Sequence, residues 1–119
     1  MDCIFCKIAK KEASAEIVFE DDLVIAFNDA HPNAPVHILV IPKVHLGSIN
    51  ELKEDDEVLA GRLIMVAKRL AKEKGIDEGG YKLLFRVGRH GGQEVPHLHL
   101  HLIGGAMLSE NIRPINAAR

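Results

Sequence analysis

The sequence predicts an α+β fold: a mostly antiparallel five-stranded sheet with one long helix and a short N-terminal helix, the helices on one face. Three observations predict it. Apolar strand-like segments come in pairs joined by short polar turns. One stretch alone has sustained helical periodicity. Near the C-terminus, polar and apolar residues alternate over His97-Leu98-His99-Leu100-His101, the period of a strand with one buried face. The chain of 119 residues reads as one domain, 1–119, large enough for a real core.

The elements follow in chain order. Ile4, Phe5 and Ile8 give the short N-terminal helix an apolar face. Glu16-Ile17-Val18-Phe19 and Val24-Ile25-Ala26-Phe27 flank the turn Glu20-Asp21-Asp22 and predict a hairpin, with Asn28-Asp29 ending its second strand. His31-Pro32-Asn33-Ala34-Pro35 is a loop, because both prolines block regular structure. Val36 to Pro42 is an apolar strand carrying His37, and Lys43-Val44-His45 leads away from it. The long helix starts behind the acidic run Lys53 to Glu57, which suits a helix N-terminus. Its core stripe is Leu59, Leu63, Val66, Ala67 and Leu70, and Gly75 stops it after a basic last turn. Gly61 weakens this helix, and close packing against another subunit is one reason for it to be there. Tyr81 to Val87 is the next strand. It runs through Gly88-Arg89-His90-Gly91-Gly92 into a last strand, His97 to Ile103.

Composition narrows the function. Hydrophobic residues are 47% and charged residues 27%, ordinary for a soluble protein, and a net charge of −2 argues against a general nucleic-acid binder. No apolar run approaches transmembrane length and no signal peptide is visible, so no membrane association is expected and the cytoplasm is the expected compartment.

On the last strand, alternation sends Leu98, Leu100 and Leu102 into the core and sets His97, His99 and His101 in a row on the other face. Beside them lies Gly91-Gly92-Gln93-Glu94-Val95, a turn whose glycines permit close approach of backbone to an anion. Two chemistries suit such a row. Neutral imidazoles can chelate a metal such as zinc. Alternatively, one imidazole is a nucleophile toward phosphorus while its neighbours move protons. Cys3-Ile4-Phe5-Cys6 has no preceding strand, so half of a tetrahedral zinc site fits better than a redox pair, and two unrelated buried thiols remain the plain alternative. His45 gains interest because such a pair needs nitrogen partners.

The stretch Gly91 to Gly105, Gly-Gly-Gln-Glu-Val-Pro-His-Leu-His-Leu-His-Leu-Ile-Gly-Gly, resembles the signature of the histidine-triad (HIT) nucleotide-binding family, and within it the Hint branch of nucleoside phosphoramidases. The likeness also covers Asp2 to Lys7, Phe19 to Asp29 and Pro35 to His45. It implies a HIT-like fold and a purine nucleotide substrate. His99 would attack the α-phosphorus of an AMP–amine conjugate and form a nucleotidyl-histidine intermediate, with His101 and His37 supporting it and no catalytic cofactor. Gly92, Gln93, Glu94 and Val95 would form the phosphate turn, and Asp29, next to Asn28, would bind the ribose. Ile4, Phe5, Ile8, Phe19 and Phe27 would form the purine slot. Cys3, Cys6, His45 and His97 would hold a structural zinc, and two subunits would form a homodimer around the long helix. Four features depart from the Hint pattern: Arg86, whose guanidinium could still contact the phosphate, replaces an asparagine near it, Glu94 stands where many animal members have serine, Asn28 replaces a histidine at the purine edge, and the tail Ala106 to Arg119 is unlike that of animal members. A dinucleoside polyphosphate hydrolase, or a nucleotide-binding protein with little turnover, is the alternative reading.

Overall fold

A computed structural model describes residues 3–115; Asp2 and positions 116–119 of the tail lie outside them. The order is α1 (Ile4–Ala9), β1 (Ile17–Glu20), β2 (Val24–Asn28), β3 (Val36–Pro42), α2 (Glu57–Glu73), β4 (Tyr81–Phe85) and β5 (Leu100–Gly104), with two short 3₁₀ turns before α2. The strands form one sheet in the order β1-β2-β3-β5-β4, antiparallel at every pairing. The hairpin turn between β1 and β2 is closed by Asp21, whose Oδ1 accepts from the amides of Leu23 and Val24 at 2.8 and 2.9 Å. Helix α2 ends at Gly75, which takes φ 72°, the left-handed conformation that glycine adopts without cost.

Both faces of the sheet are covered, which corrects the expectation that the helices share one face. Val24, Ala26, Ile38, Val40, Leu100 and Leu102 pack with Leu63, Val66 and Leu70 of α2. The intervening residues Ile25, Phe27, Leu39 and Ile41 point the other way and pack with Cys3, Phe5 and Ile8 of the α1 region. β2 is apolar up to Asn28 and β3 apart from His37, the pattern of strands buried on two sides, and a second covering layer was therefore required.

Two strand limits also differ from expectation. β4 ends at Phe85 rather than Val87, and regular pairing of the last strand begins at Leu100 rather than His97. The segment before Leu100 is drawn off the ladder by other partners: the amide of Leu98 donates to the Leu46 carbonyl at 2.6 Å, and that of His97 to Val95 at 2.8 Å. The alternation of faces persists nonetheless. Leu98 joins the α2 core, while His97, His99 and His101 lie on the α1 side, all buried.

Candidate active site and candidate metal centre

The α1 face of the sheet carries an open cleft of about 1240 Å³. Its floor runs across three strands: Phe27 on β2, His37 and Leu39 on β3, and His101 on β5, with His99 just before β5. Ile4, Phe5 and Ile8 of α1 form an apolar wall at one end. The ring of Phe5 stands edge-on to Phe27 and to His99, with centroids 5.5 and 5.1 Å apart. Asn28 and Asp29 border the middle, and Arg86, Gly92, Glu94 and Val95 border the far side.

Hydrogen bonds fix which nitrogen of each imidazole carries a proton. The amide of Asn33 donates to His37 Nδ1 at 3.1 Å, so that nitrogen holds a lone pair and the proton of neutral His37 sits on Nε2. His37 Nε2 lies 2.9 Å from His101 Nδ1 and 3.4 Å from Asp29 Oδ2. It donates to His101, whose own proton is thereby placed on Nε2. That nitrogen is buried and has no hydrogen-bond partner among the described residues. His99 is oriented separately: Nδ1–H donates to the His97 carbonyl at 2.7 Å, leaving a lone pair on Nε2. The rings of His99 and His101 stand 4.9 Å apart. The cleft thus sets a nitrogen lone pair beside an N–H donor.

Burial keeps these rings neutral. It is the largest cause lowering the pKa of His37 and His99, with the Arg86 guanidinium adding to it and Asp29 opposing it. His101 is pushed down to about 4, chiefly by burial and then by the charges of His99, Arg86 and His37. At neutral pH a buried unprotonated imidazole is a competent nucleophile.

The turn before the last strand is built for a fixed shape. A Cβ on Gly91 would meet the Val87 carbonyl oxygen at 2.4 Å, and Gly92 has φ 77°. The amides of Gly92 and Gln93 donate to Arg89 and Gly88. The Gln93 side chain accepts from the Gly88 amide at 3.0 Å and donates to Gly47 and Val95 carbonyls at 2.6 and 2.9 Å. This corrects the expectation for Gln93: it braces the turn and does not line the cleft. Among the described residues, the amides of Glu94 and Val95 have no protein acceptor.

Phe19 is the second correction. A shift of register between Ile17 and Phe19 places Phe19 opposite Ala26 instead of Ile25. The extra residue rolls its side chain onto the α2 face, where Arg62 and Arg69 lie over its ring at 5.6 and 5.3 Å. The cleft also gains Leu39 and Glu16, which the sequence reading missed. Leu39 was legible, since it lies two residues from His37 on the same strand and so shares its face.

Next to the cleft, the second cluster brings together Cys3, Cys6, His45 and His97. His97 Nδ1 lies 3.3 Å from Cys3 Sγ and 3.5 Å from Cys6 Sγ; His45 Nδ1 lies 3.2 Å from Cys6 Sγ and 3.2 Å from His97 Nδ1. His97 Nε2–H donates to the Pro42 carbonyl at 3.0 Å, so its Nδ1 lone pair faces the sulfurs. Two sulfurs and two nitrogens converge, all within 4.8 Å of one another, and this group could hold a metal ion. Burial, followed by the neighbouring Cys3, raises the Cys6 thiol above its ordinary value.

The model of the family described as "Scavenger mRNA decapping enzyme C-term binding" matches residues 2–113. The purine nucleoside phosphoramidase of Escherichia coli K12 is 47% identical over 107 residues, 90% of each chain. The chain belongs to the histidine-triad family, in its Hint-type branch. Among solved structures, a HIT family hydrolase from Legionella pneumophila superposes with a TM-score of 0.90 at 47% identity, covering 92% of this chain and 98% of its own. A histidine triad protein from Clostridium difficile does so with a TM-score of 0.90 at 45% identity, covering 94% and 97%. The HIT protein described here is therefore a hydrolase.

Proposed function

We propose that this HIT hydrolase cleaves the P–N bond of purine nucleoside 5′-phosphoramidates, releasing AMP from AMP–amine conjugates. The observation that carries this reading is the pairing of a lone pair on His99 Nε2 with a donor on His101 Nε2–H across one cleft. The name of the Escherichia coli relative supports the same substrate class. The purine occupies the apolar end between Phe5, Ile8 and Phe27, the ribose hydroxyls donate to Asp29, and the phosphate meets the Glu94 and Val95 amides.

The bound anion draws one proton onto the His101–His37 pair, since a nearby negative charge favours the charged imidazole. His99 Nε2 forms a bond to the α-phosphorus as the P–N bond breaks, and His101 Nε2 gives its proton to the departing nitrogen. Water then attacks phosphorus, returns a proton to His101 and frees His99, with AMP as product. Asp29 steadies the positive charge of the protonated pair, which is present before the first step and restored by the second.

The Cys₂His₂ cluster is proposed to hold zinc. A tetrahedral zinc with bonds of roughly 2.3 Å to sulfur and 2.0 Å to nitrogen needs ligand atoms roughly 3.3–3.8 Å apart. The separations of 3.2–3.5 Å fit that requirement. Its four protein ligands leave no open position, so its role is to anchor α1 to the His97 segment. The reading includes a single-domain cytoplasmic homodimer formed about α2, where Val58, Ile64 and Met65 are exposed.

The test is incubation with adenosine 5′-phosphoramidate and with a dinucleoside polyphosphate. AMP release from the first, at a rate well above that from the second, is the expected result. Binding of nucleotide with no AMP release would overturn the reading.

A further inference from the structure

Arg86, expected from the sequence near the phosphate, takes no part in the steps proposed above. It immediately follows β4, two residues beyond Leu84, which pairs with His101. Side chains alternate along a strand, so Arg86 continues the face of Leu84 and His101, and it lines the cleft together with His99. Its side chain passes over the glycine turn: a Cβ on Gly92 would lie 3.6 Å from Arg86 Cδ. Among the described residues the guanidinium makes no hydrogen bond and no ion pair, although it lines the cleft and is partly buried.

The strand order gives this cation a direction. Across β2-β3-β5-β4 the cleft runs from Phe27, past His37, to His101 and His99, and then to Arg86. With the base over β2 and phosphorus at His99, in-line displacement sets the departing group on the side of phosphorus away from His99 Nε2, in the open cleft that Arg86 borders. Arginine is longer than the imidazole beside it and reaches that space. A guanidinium binds carboxylate and phosphate through paired N–H donors. Glu94, also on this side of the cleft and without an ion-pair partner among the described residues, disfavours anions in general. With the Glu94 and Val95 amides given to the α-phosphate, Arg86 is the cation on this side of the cleft that a second anionic group can meet.

We propose that Arg86 is a specificity residue for the leaving group, selecting conjugates whose amine carries its own anionic group, a carboxylate or a phosphate, close to the scissile bond. This rests on the phosphoramidase reading and deepens it. Arg86 is not required for bond cleavage itself; it chooses which amines leave fastest.

Three AMP conjugates of similar size test this: one of glycinamide (neutral), one of glycine (carboxylate) and one of aminomethylphosphonate (a phosphate-like anion). The readout is the ratio of kcat/KM between anionic and neutral substrates, in the wild type and in Arg86→Gln and Arg86→Lys. The wild type is expected to favour at least one anionic conjugate by about tenfold, with the preference shrinking as salt rises. The glycine and phosphonate arms show which anion is preferred. Arg86→Gln brings the ratio close to one, and Arg86→Lys restores part of it. An equal fall for all three substrates in Arg86→Gln would mean that Arg86 holds only the shared α-phosphate, and would overturn the proposal. So would an unchanged ratio. Binding of the same conjugates to His99→Ala, with and without Arg86→Gln, separates this inference from the underlying reading. A tenfold binding preference that vanishes with Arg86 upholds the inference even if turnover fails, and no preference in either background overturns it.

Discussion

His97, just before β5, and His101, on it, are four residues apart and both buried on the same face, and they do opposite things. The Nε2–H of His97 is fixed by the Pro42 carbonyl, so its lone pair joins a ring of sulfur and nitrogen. The lone pair of His101 is satisfied by His37, so its N–H is the group left facing the cleft. The residue type does not set the role. The partner on the second nitrogen does, and that partner comes from β3 or its end in both cases. His99, between them, borrows the His97 carbonyl, so the metal-type cluster and the reactive nitrogen are mechanically joined.

The largest effect should come from removing the middle ring. His99→Ala is expected to lower kcat by about 10³-fold or more. Its circular dichroism and Tm should stay near wild type, because His99 makes only one side-chain hydrogen bond. Turnover near the wild-type rate would break the distinction between His99 and its neighbours.

The reverse pattern is expected for the other cluster. Cys6→Ser should remove bound metal, measured by elemental analysis, and lower Tm by about 10 °C, the shift expected for a loss of roughly 2–3 kcal/mol in a domain of this size. Its kcat should fall less than about tenfold, since the reactive nitrogen remains. Stoichiometric metal in Cys6→Ser would remove Cys6 from the ligand set.

Acidification probes the His101 side. As pH falls through 6.5, unfolded His101 gains a proton, while folded His101 does so only near 4. The unfolded state binds more protons in that window, so the His101 contribution to stability declines from pH 6.5 to about 4 and levels off below it. The His101 share is on the order of 3 kcal/mol, and His37 and His99 act in the same direction. Urea midpoints measured across this range should show a smaller decline in His101→Gln. An equal decline would place the effect elsewhere.

The smallest effect concerns Phe19. Because it packs beneath Arg62 and Arg69, Phe19→Leu should cost about 1 kcal/mol of stability and leave KM for the nucleotide unchanged. A raised KM would return Phe19 to the purine slot.

Much of this was legible in the residues. Alternation along His97 to Ile103 placed the three histidines on one face even though His97 and His99 precede the regular strand. The helix limits followed from an acidic start and Gly75. What stayed hidden depended on contacts between distant segments. Phe19 was misplaced because a bulge leaves no mark in residue type. The Asn33 amide, which sets the whole His37–His101 polarity, is a backbone group that any residue in that loop would supply. Gln93 looked like a ligand contact because its side chain is polar beside a glycine turn, yet its bonds close the turn itself. The second covered face was readable in the apolar runs of β2 and β3, which leave no polar side for solvent.

The central claim is that phosphorus becomes bonded to a single ring, that of His99. Rapid quenching of the enzyme during turnover of an adenosine phosphoramidate, followed by fragmentation mass spectrometry, tests it directly. The account predicts one adenylyl group on His99, absent from His99→Ala. An adenylyl group on His101 or His97, or unmodified protein throughout burst and steady state, would contradict it.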